Sequence, residues 1–385
     1  MANGRIWQTI NGNEMIELLF IVPLSVLVAF YSGYYLFGLR YGKNIRYGSS
    51  ETCMPRVSLV IATYNEEDII GKKIENILEI DYPKDKLELV FVDSSTDNTL
   101  QIIKNFKEES GLNIQILEEK VRRGLASALN LGYKSAKGDV VIKTDCDMFL
   151  EKNSVKEIVK FFSDPQVGAV TGKVVISNES NVEIGYRNIF ERLRIAEANL
   201  DSTYLFNPFC AFRKDLIEPI DSRSVADDAE LALKIRKKGC KTVYSPNATA
   251  YEASPTSFKG RISQKSRRAQ GHVRLLFQNL SILFNPKFGK FGMIIFPANF
   301  FMIVLSPWLI LLTIIFAILY VGFTFGLFNV ILFVTFVVLL SSFVYLKSTP
   351  KVVAGFLDAQ INLLIGIIKL AIKGPDFMWS KEHRH

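Results

Sequence analysis

From Ile294 to Leu346 the chain carries no charged residue, a run no single helix or strand of a water-soluble domain can bury. About 20 apolar residues cross the roughly 30 Å core of a bilayer, so this run predicts two spans. They join near Gly322 and Gly326, where glycine favours a tight turn. Lys287 and Lys290 precede the run and Lys347 and Lys351 follow it, which puts both ends on the cytoplasmic side. A second uncharged run lies between Glu17 and Arg40, followed by Lys43, Arg46 and Arg56. The positive-inside rule then sends the N-terminus outside and everything after Arg40 into the cytoplasm. Tyr34 to Phe37 offers no small-residue cleavage site, so this run predicts a retained anchor rather than a signal peptide. A third stretch, Val352 to Ile372, is interrupted by Asp358, Gln360, Asn362 and Lys369. It reads either as a fourth span or as a helix in the interface.

The expected organisation is an anchor over residues 1–46, a soluble domain over 55–258 and a basic amphipathic segment over 259–290. A transmembrane hairpin over 291–347 and a last membrane or interfacial helix with a basic tail over 352–385 complete it. Such a chain is a multi-pass protein of the cell membrane with its soluble domain in the cytoplasm. Its net charge of +8 suits anionic lipid surfaces and anionic ligands. No basic segment carries a nucleic-acid recognition pattern, so no nucleic-acid partner is expected. The four cysteines, Cys53, Cys146, Cys210 and Cys240, are scattered, which speaks for reduced thiols and against a zinc site or disulfide framework.

Within the soluble region the hydrophobic period alternates. Val57 to Ala62, Leu87 to Val92, Ile114 to Leu117 and Val140 to Thr144 read as strands. Ile69 to Leu78, Thr99 to Phe106 and Leu125 to Tyr133 read as the helices between them. This alternation predicts an α/β fold with a mostly parallel sheet covered on both faces. Ligands of such sheets bind outside the carboxyl ends of the strands. There the fourth strand runs into Thr144-Asp145-Cys146-Asp147. Two carboxylates one residue apart can share a hard divalent cation with substrate phosphates, although a lone Asp-x-Asp is common on surfaces.

The stretches VSLVIATYNEEDII, VFVDSSTDNT, RRGLASALNLGYKSAKGDVVIKTDCD, ADDAELALKIRKKG and QKSRRAQGH follow in this order from about Arg56 to His272. In order and spacing the region resembles the membrane-embedded glycosyltransferases of family 2, which have a GT-A (Rossmann-like) fold. That group includes cellulose, chitin and hyaluronan synthases and dolichyl-phosphate sugar synthases. The resemblance implies an inverting hexosyltransferase that takes a nucleotide-diphosphate sugar, expected to be a UDP-sugar, and uses Mg²⁺ or Mn²⁺. The acceptor is then a growing polysaccharide or other glycan, or alternatively a polyprenyl (dolichyl) phosphate that receives a single sugar. A non-catalytic scaffold is the third reading, and the retained acids argue against it. Three or four spans are few for a polymer channel, so export would require a homo-oligomer or another protein.

Carried over by position, the resemblance gives Thr63, Tyr64, Asn65 and Glu66 to the loop that cradles the nucleotide. Asp93 and Asp97 fall on the second-strand loop that contacts base and ribose, and a helix cap at Asp97 is the competing reading. Leu125 stands where the family has a lysine, so Arg122 or Arg123 is the candidate cation near the phosphates. Asp145 and Asp147 match the metal motif, with Asp145 also at the nucleotide. Asp228 matches the general base, with Asp227 beside it at the acceptor, although both acids would also suit the N-terminus of a helix. Gln264 and Arg267, one helical turn apart, match the diphosphate-binding motif, and Arg268 replaces its tryptophan.

Overall fold

The computed structural model describes residues 12–46, 48–177, 181–253, 257–326 and 351–374. Its strands are β1 (Val57–Thr63), β2 (Leu87–Asp93), β3 (Asn113–Glu118), β4 (Val140–Lys143), β5 (Met148–Leu150), β6 (Val167–Ile176), β7 (Cys210–Arg213) and β8 (Lys241–Glu252). They form one sheet in the order β3-β2-β1-β4-β7-β6-β8-β5. The first four are mutually parallel, close to the ranges read from the sequence. Beyond them the sheet becomes mixed: β7 runs antiparallel to β4 and β6, β8 parallel to β6, and β5 antiparallel to β8.

Period-two alternation feeds two cores. Val57, Leu59 and Ile61 of β1 enter one cluster and Val60 the other, while Val140 and Ile142 of β4 separate from Val141 in the same way. Each such burial contributes about 1.5–3 kcal/mol. Helices α2 (Ile70–Leu78), α3 (Thr99–Ser110), α4 (Leu125–Ser135), α5 (Ser154–Val159) and α7 (Asp227–Lys237) belong to this domain, and α6 (Asn181–Leu200) and α8 (Phe258–Gln278) connect it to the apolar helices.

Among the described residues three helices are long and apolar enough to cross a membrane: α1 (Gly12–Tyr41), α9 (Phe291–Phe325) and α10 (Lys351–Lys373). α1 packs along α9, with the rings of Phe30 and Phe301 4.1 Å apart. α9 ends at Gly326, whose φ of +82° suits glycine at a turn. The expected second span, over 327–347, lies outside the described residues.

The polar residues that interrupt α10 face protein. Asp358 pairs with Lys265 of α8 at 2.8 Å, Gln360 bonds Ser306 of α9 and Tyr31 of α1, and Lys369 donates to Ser266 of α8. Gly366 lets the backbones meet, because a Cβ there would stand 2.7 Å from that of Ala269. On α8, Leu275 and Leu276 are buried in the protein core, while Phe277 is exposed.

Where these helices meet the domain, Glu197 of α6 is buried and multiply bonded. Tyr34 of α1, Asn299 of α9 and Thr203 all donate to its carboxylate. Burial pushes its pKa up against these bonds.

Candidate active site

The chain leaves β1 toward β2 on one side and returns to β4 on the other, which opens a crevice at the carboxyl ends of β1 and β4. Thr63 closes β1, and its Oγ1 donates to Asp93 Oδ1 at 2.6 Å. Ser95 donates to Asp93 through its backbone N–H (3.1 Å) and its hydroxyl (2.7 Å). Asn65 follows in the left-handed region, φ +54°, which asparagine tolerates better than most residues. Its N–H donates to Ser95 Oγ and its Oδ1 accepts the N–H of Thr96, both at 2.8 Å. Glu66 donates its N–H to Thr99 Oγ1, and Asp97 Oδ1 accepts the N–H of Thr99 at 3.0 Å. Asp97 thus braces the start of α3 from one residue outside its N-cap, Asn98. The two loops form one hydrogen-bonded rim.

On that rim the guanidinium of Arg122 lies 3.8 Å from the centre of the Tyr64 ring. Arg123 turns to Glu119, with bonds of 3.1 and 2.9 Å to one oxygen. Of the two candidate cations, Arg122 is therefore the one stacked against the β1 loop.

Asp145 and Asp147 occupy a turn between β4 and β5, closed by the N–H of Met148 donating to the Asp145 carbonyl at 3.2 Å. Cys146 between them is buried in the core beneath. Under the turn lies Lys73 of α2, fully buried, which donates to Thr144 Oγ1 (3.1 Å) and to the Met148 carbonyl. Burial lowers its pKa to about 8, with Cys146 and Asp145 acting in the opposite direction.

The last residue of β4, Lys143, donates to Asp227, the first residue of α7. Burial works against the Lys143 charge, and Asp227, Asp145 and Asp228 together outweigh it, so the ammonium is held well above its usual range. Asp228 is 9% exposed and accepts the N–H of Ala229 at 2.7 Å. Burial, aided by Asp227 and opposed by Lys143, raises its pKa to about 6. From α8, Arg268 reaches over the same acids. It bonds Glu252 at 3.2 Å with 45% of its side chain exposed, and Glu252, Asp145 and Asp228 sustain its charge against burial. Gln264 and Arg267, half-buried, precede it on α8. On the same helix, Gly271 touches the segment before Asp227 and Asp228: a Cβ would stand 2.9 Å from the Val225 carbonyl carbon.

Among the described residues no three His, Cys, Asp or Glu side chains converge as a closed metal cage. A pair of carboxylates on an accessible turn fits Mg²⁺ or Mn²⁺, which take the rest of their shell from water and phosphate.

The profile described as glycosyl transferase family 2 matches residues 58–221. That of glycosyl transferase family group 2 matches residues 140–346, more than half of the 385 residues. The chain belongs to the family 2 glycosyltransferases. Its sheet and crevice are those of the GT-A fold. It is 28% identical to the mannosyltransferase PcManGT from Pyrobaculum calidifontis, solved in complex with GDP-Man and Mn²⁺, with a TM-score of 0.78 over 92% of this chain and 99% of that one. It is also 27% identical over 256 residues to the poly-beta-1,6-N-acetyl-D-glucosamine synthase of Staphylococcus aureus (strain MSSA476), covering 64% of this chain and 61% of the relative. With the probable glycosyltransferase YdaM of Bacillus subtilis (strain 168) the identity is 28% over 258 residues, 61% of this chain and 59% of that one. The chain thus spans about three fifths of the length of these curated relatives.

In this family 2 glycosyltransferase, Lys73, Lys143 and Glu252 tie the site together, and sequence motifs alone do not reveal them. The signal was phase: Lys73 falls in line with Ile70 and Ile77 on the buried face of α2, and Lys143 ends a fully buried strand.

Proposed function

We propose that this protein is a membrane-embedded inverting glycosyltransferase that moves a sugar from a nucleotide-diphosphate sugar to a hydroxyl of a glycan acceptor. The observation that carries this is the position of Asp228, a carboxylate with a pKa of about 6 that directly follows Asp227, whose ion pair with Lys143 ties the start of α7 to the strand leading into the Asp145–Asp147 turn. A general base works best with a pKa near the operating pH. In the proposed step the acceptor oxygen bonds to the anomeric carbon while its proton passes to Asp228. The bond from that carbon to the phosphate oxygen breaks, and the nucleoside diphosphate leaves from the opposite face. One displacement inverts the configuration and needs a single catalytic carboxylate.

Thr63, Tyr64, Asn65, Glu66 and Asp93 would frame the nucleoside, Arg122 or Arg123 would stand near the phosphates, and Gln264 and Arg267 would close on the diphosphate. Asp145 and Asp147 would hold the divalent ion, whose charge stabilises the departing diphosphate. The nucleotide is proposed as UDP, and GDP is the competing base because PcManGT is solved with GDP-Man. The domain would face the cytoplasm. A second reading, one sugar delivered to a polyprenyl phosphate, is favoured by Arg268, a cation where polymer-making relatives are expected to hold an aromatic platform. Incubating the full chain with Mn²⁺ and labelled UDP- and GDP-sugars, then sizing the product, tests both readings. A ladder supports the first and a single addition the second, whereas no transfer and no hydrolysis of any donor contradicts the enzyme.

A further inference from the structure

Behind Asp228, between α6 and α8, three polar side chains each hold a buried nitrogen or oxygen that finds no hydrogen-bond partner among the described residues. Arg194 of α6 stacks its guanidinium 5.8 Å from the centre of the Tyr244 ring, and its buried Nε has no hydrogen-bond partner. Among the described residues it forms no ion pair. The nearby acids are engaged: Glu191 with Lys173 at 3.0 Å, and Glu197 with Tyr34, Asn299 and Thr203. Tyr204 is 2% exposed and its hydroxyl is unpartnered, as is the buried Nδ1 of His272, whose ring centre lies 6.0 Å from that of Tyr204. Burial and then Asp228 push the Tyr204 hydroxyl pKa up. Burial, with the charges of Arg194 and Arg268, brings His272 down to about 4, so it is neutral at physiological pH.

Each buried polar group left without a partner costs about 1–3 kcal/mol. Several in one place, partly exposed through Arg194 and His272, describe a surface completed by a ligand. Two arginines dominate it, and the guanidinium fork matches phosphate oxygens bidentately. We propose that Arg194, Tyr204 and His272, together with Arg268, bind a phosphate-class anionic group carried by the acceptor beside Asp228. This deepens the transferase reading and rests on it. The donor diphosphate is the competing ligand, but Arg194 sits on α6, which packs against α1, α10 and β8, whereas the nucleotide rim is built on β1, β2 and β4.

The experiment uses the full chain in nanodiscs of neutral lipid. Native-membrane extract, split on an anion exchanger into retained and flow-through fractions, serves as the acceptor pool for labelled sugar. Acceptor activity is expected in the retained fraction, and Arg194→Gln should raise the KM for that fraction about tenfold, with Arg194→Lys recovering part of the loss. A product that partitions into butanol puts the anionic group on a lipid, and one that stays in water puts it on a glycan; either supports the subsite. Activity confined to the flow-through, an unchanged acceptor KM in Arg194→Gln, or a rise in the donor KM instead would overturn it. The fractionation needs only the wild-type chain, so it decides even where the variant fails to fold. A wild-type chain that neither transfers nor hydrolyses any nucleotide sugar removes the transferase reading, whereas transfer to neutral acceptors alone removes only the subsite.

Discussion

Lys143 at the end of β4 and Asp227 at the start of α7 form an ion pair with 2% and 8% of their side chains exposed. The pair links the strand that leads into the Asp145–Asp147 turn to the helix that carries Asp228. Removing one partner of a buried pair leaves an uncompensated charge, at a cost of about 3–5 kcal/mol. Lys143→Met should therefore lower the melting temperature clearly, while Lys143→Arg should lower it less. A melting temperature unchanged in Lys143→Met would show that the pair contributes nothing to stability.

Burial of Asp228 predicts a pH dependence, which the same pair modulates. Asp228 must be deprotonated to accept a proton, so kcat should rise with pH and level off above its pKa of about 6. Lys143 lowers that pKa, so the midpoint in Lys143→Met should move upward. A flat profile between pH 5 and 8, the range around an acid tuned near neutrality, would speak against Asp228 as the base.

Lys73 holds the backbone of the Asp145–Asp147 turn, the proposed metal site, from below. Losing a group that orients ligating residues typically costs 10–100-fold in metal affinity. Lys73→Met should weaken Mn²⁺-dependent nucleotide binding by about tenfold, and Asp147→Asn should abolish transfer, whereas Cys146→Ser should leave both nearly intact. Titration calorimetry with and without EDTA reads all three. Transfer at full rate in EDTA would contradict the metal role.

The orientation of the helices can be checked by labelling. In a chain with Cys53 and Cys240 changed to serine, a cysteine at Thr324 should react with an impermeant reagent from outside, and one at Lys265 only after permeabilisation. Labelling at Lys265 in intact cells would reverse the proposed topology.

The first half of the sheet was legible because β1 to β4 are buried strands separated by amphipathic helices, a contrast that periodicity detects. β6, β7 and β8 were not, since their pairing depends on antiparallel neighbours distant in sequence, such as Lys143 opposite Cys210. α10 is ambiguous in the sequence because Asp358, Gln360, Asn362 and Lys369 interrupt its apolar run. Lys265, Ser306, Tyr31 and Ser266, the partners of Asp358, Gln360 and Lys369, lie on other helices, and one-dimensional hydropathy cannot show that. The acids of the crevice were visible through motif spacing. The buried lysines that organise them were not, because a charge inside an apolar pattern reads as noise until its partner is located.

The most direct measurement of the central claim compares kcat and nucleotide affinity for the wild type, Asp228→Asn and Asp227→Asn, with donor and Mn²⁺ saturating. Asn is nearly isosteric with Asp, so Asp228→Asn should bind nucleotide like the wild type yet turn over at least about 10²-fold more slowly, as expected for a lost general base. Asp227→Asn should keep more activity and lose stability instead. Near wild-type turnover in Asp228→Asn with an inactive Asp227→Asn would contradict the assignment and move the base by one residue.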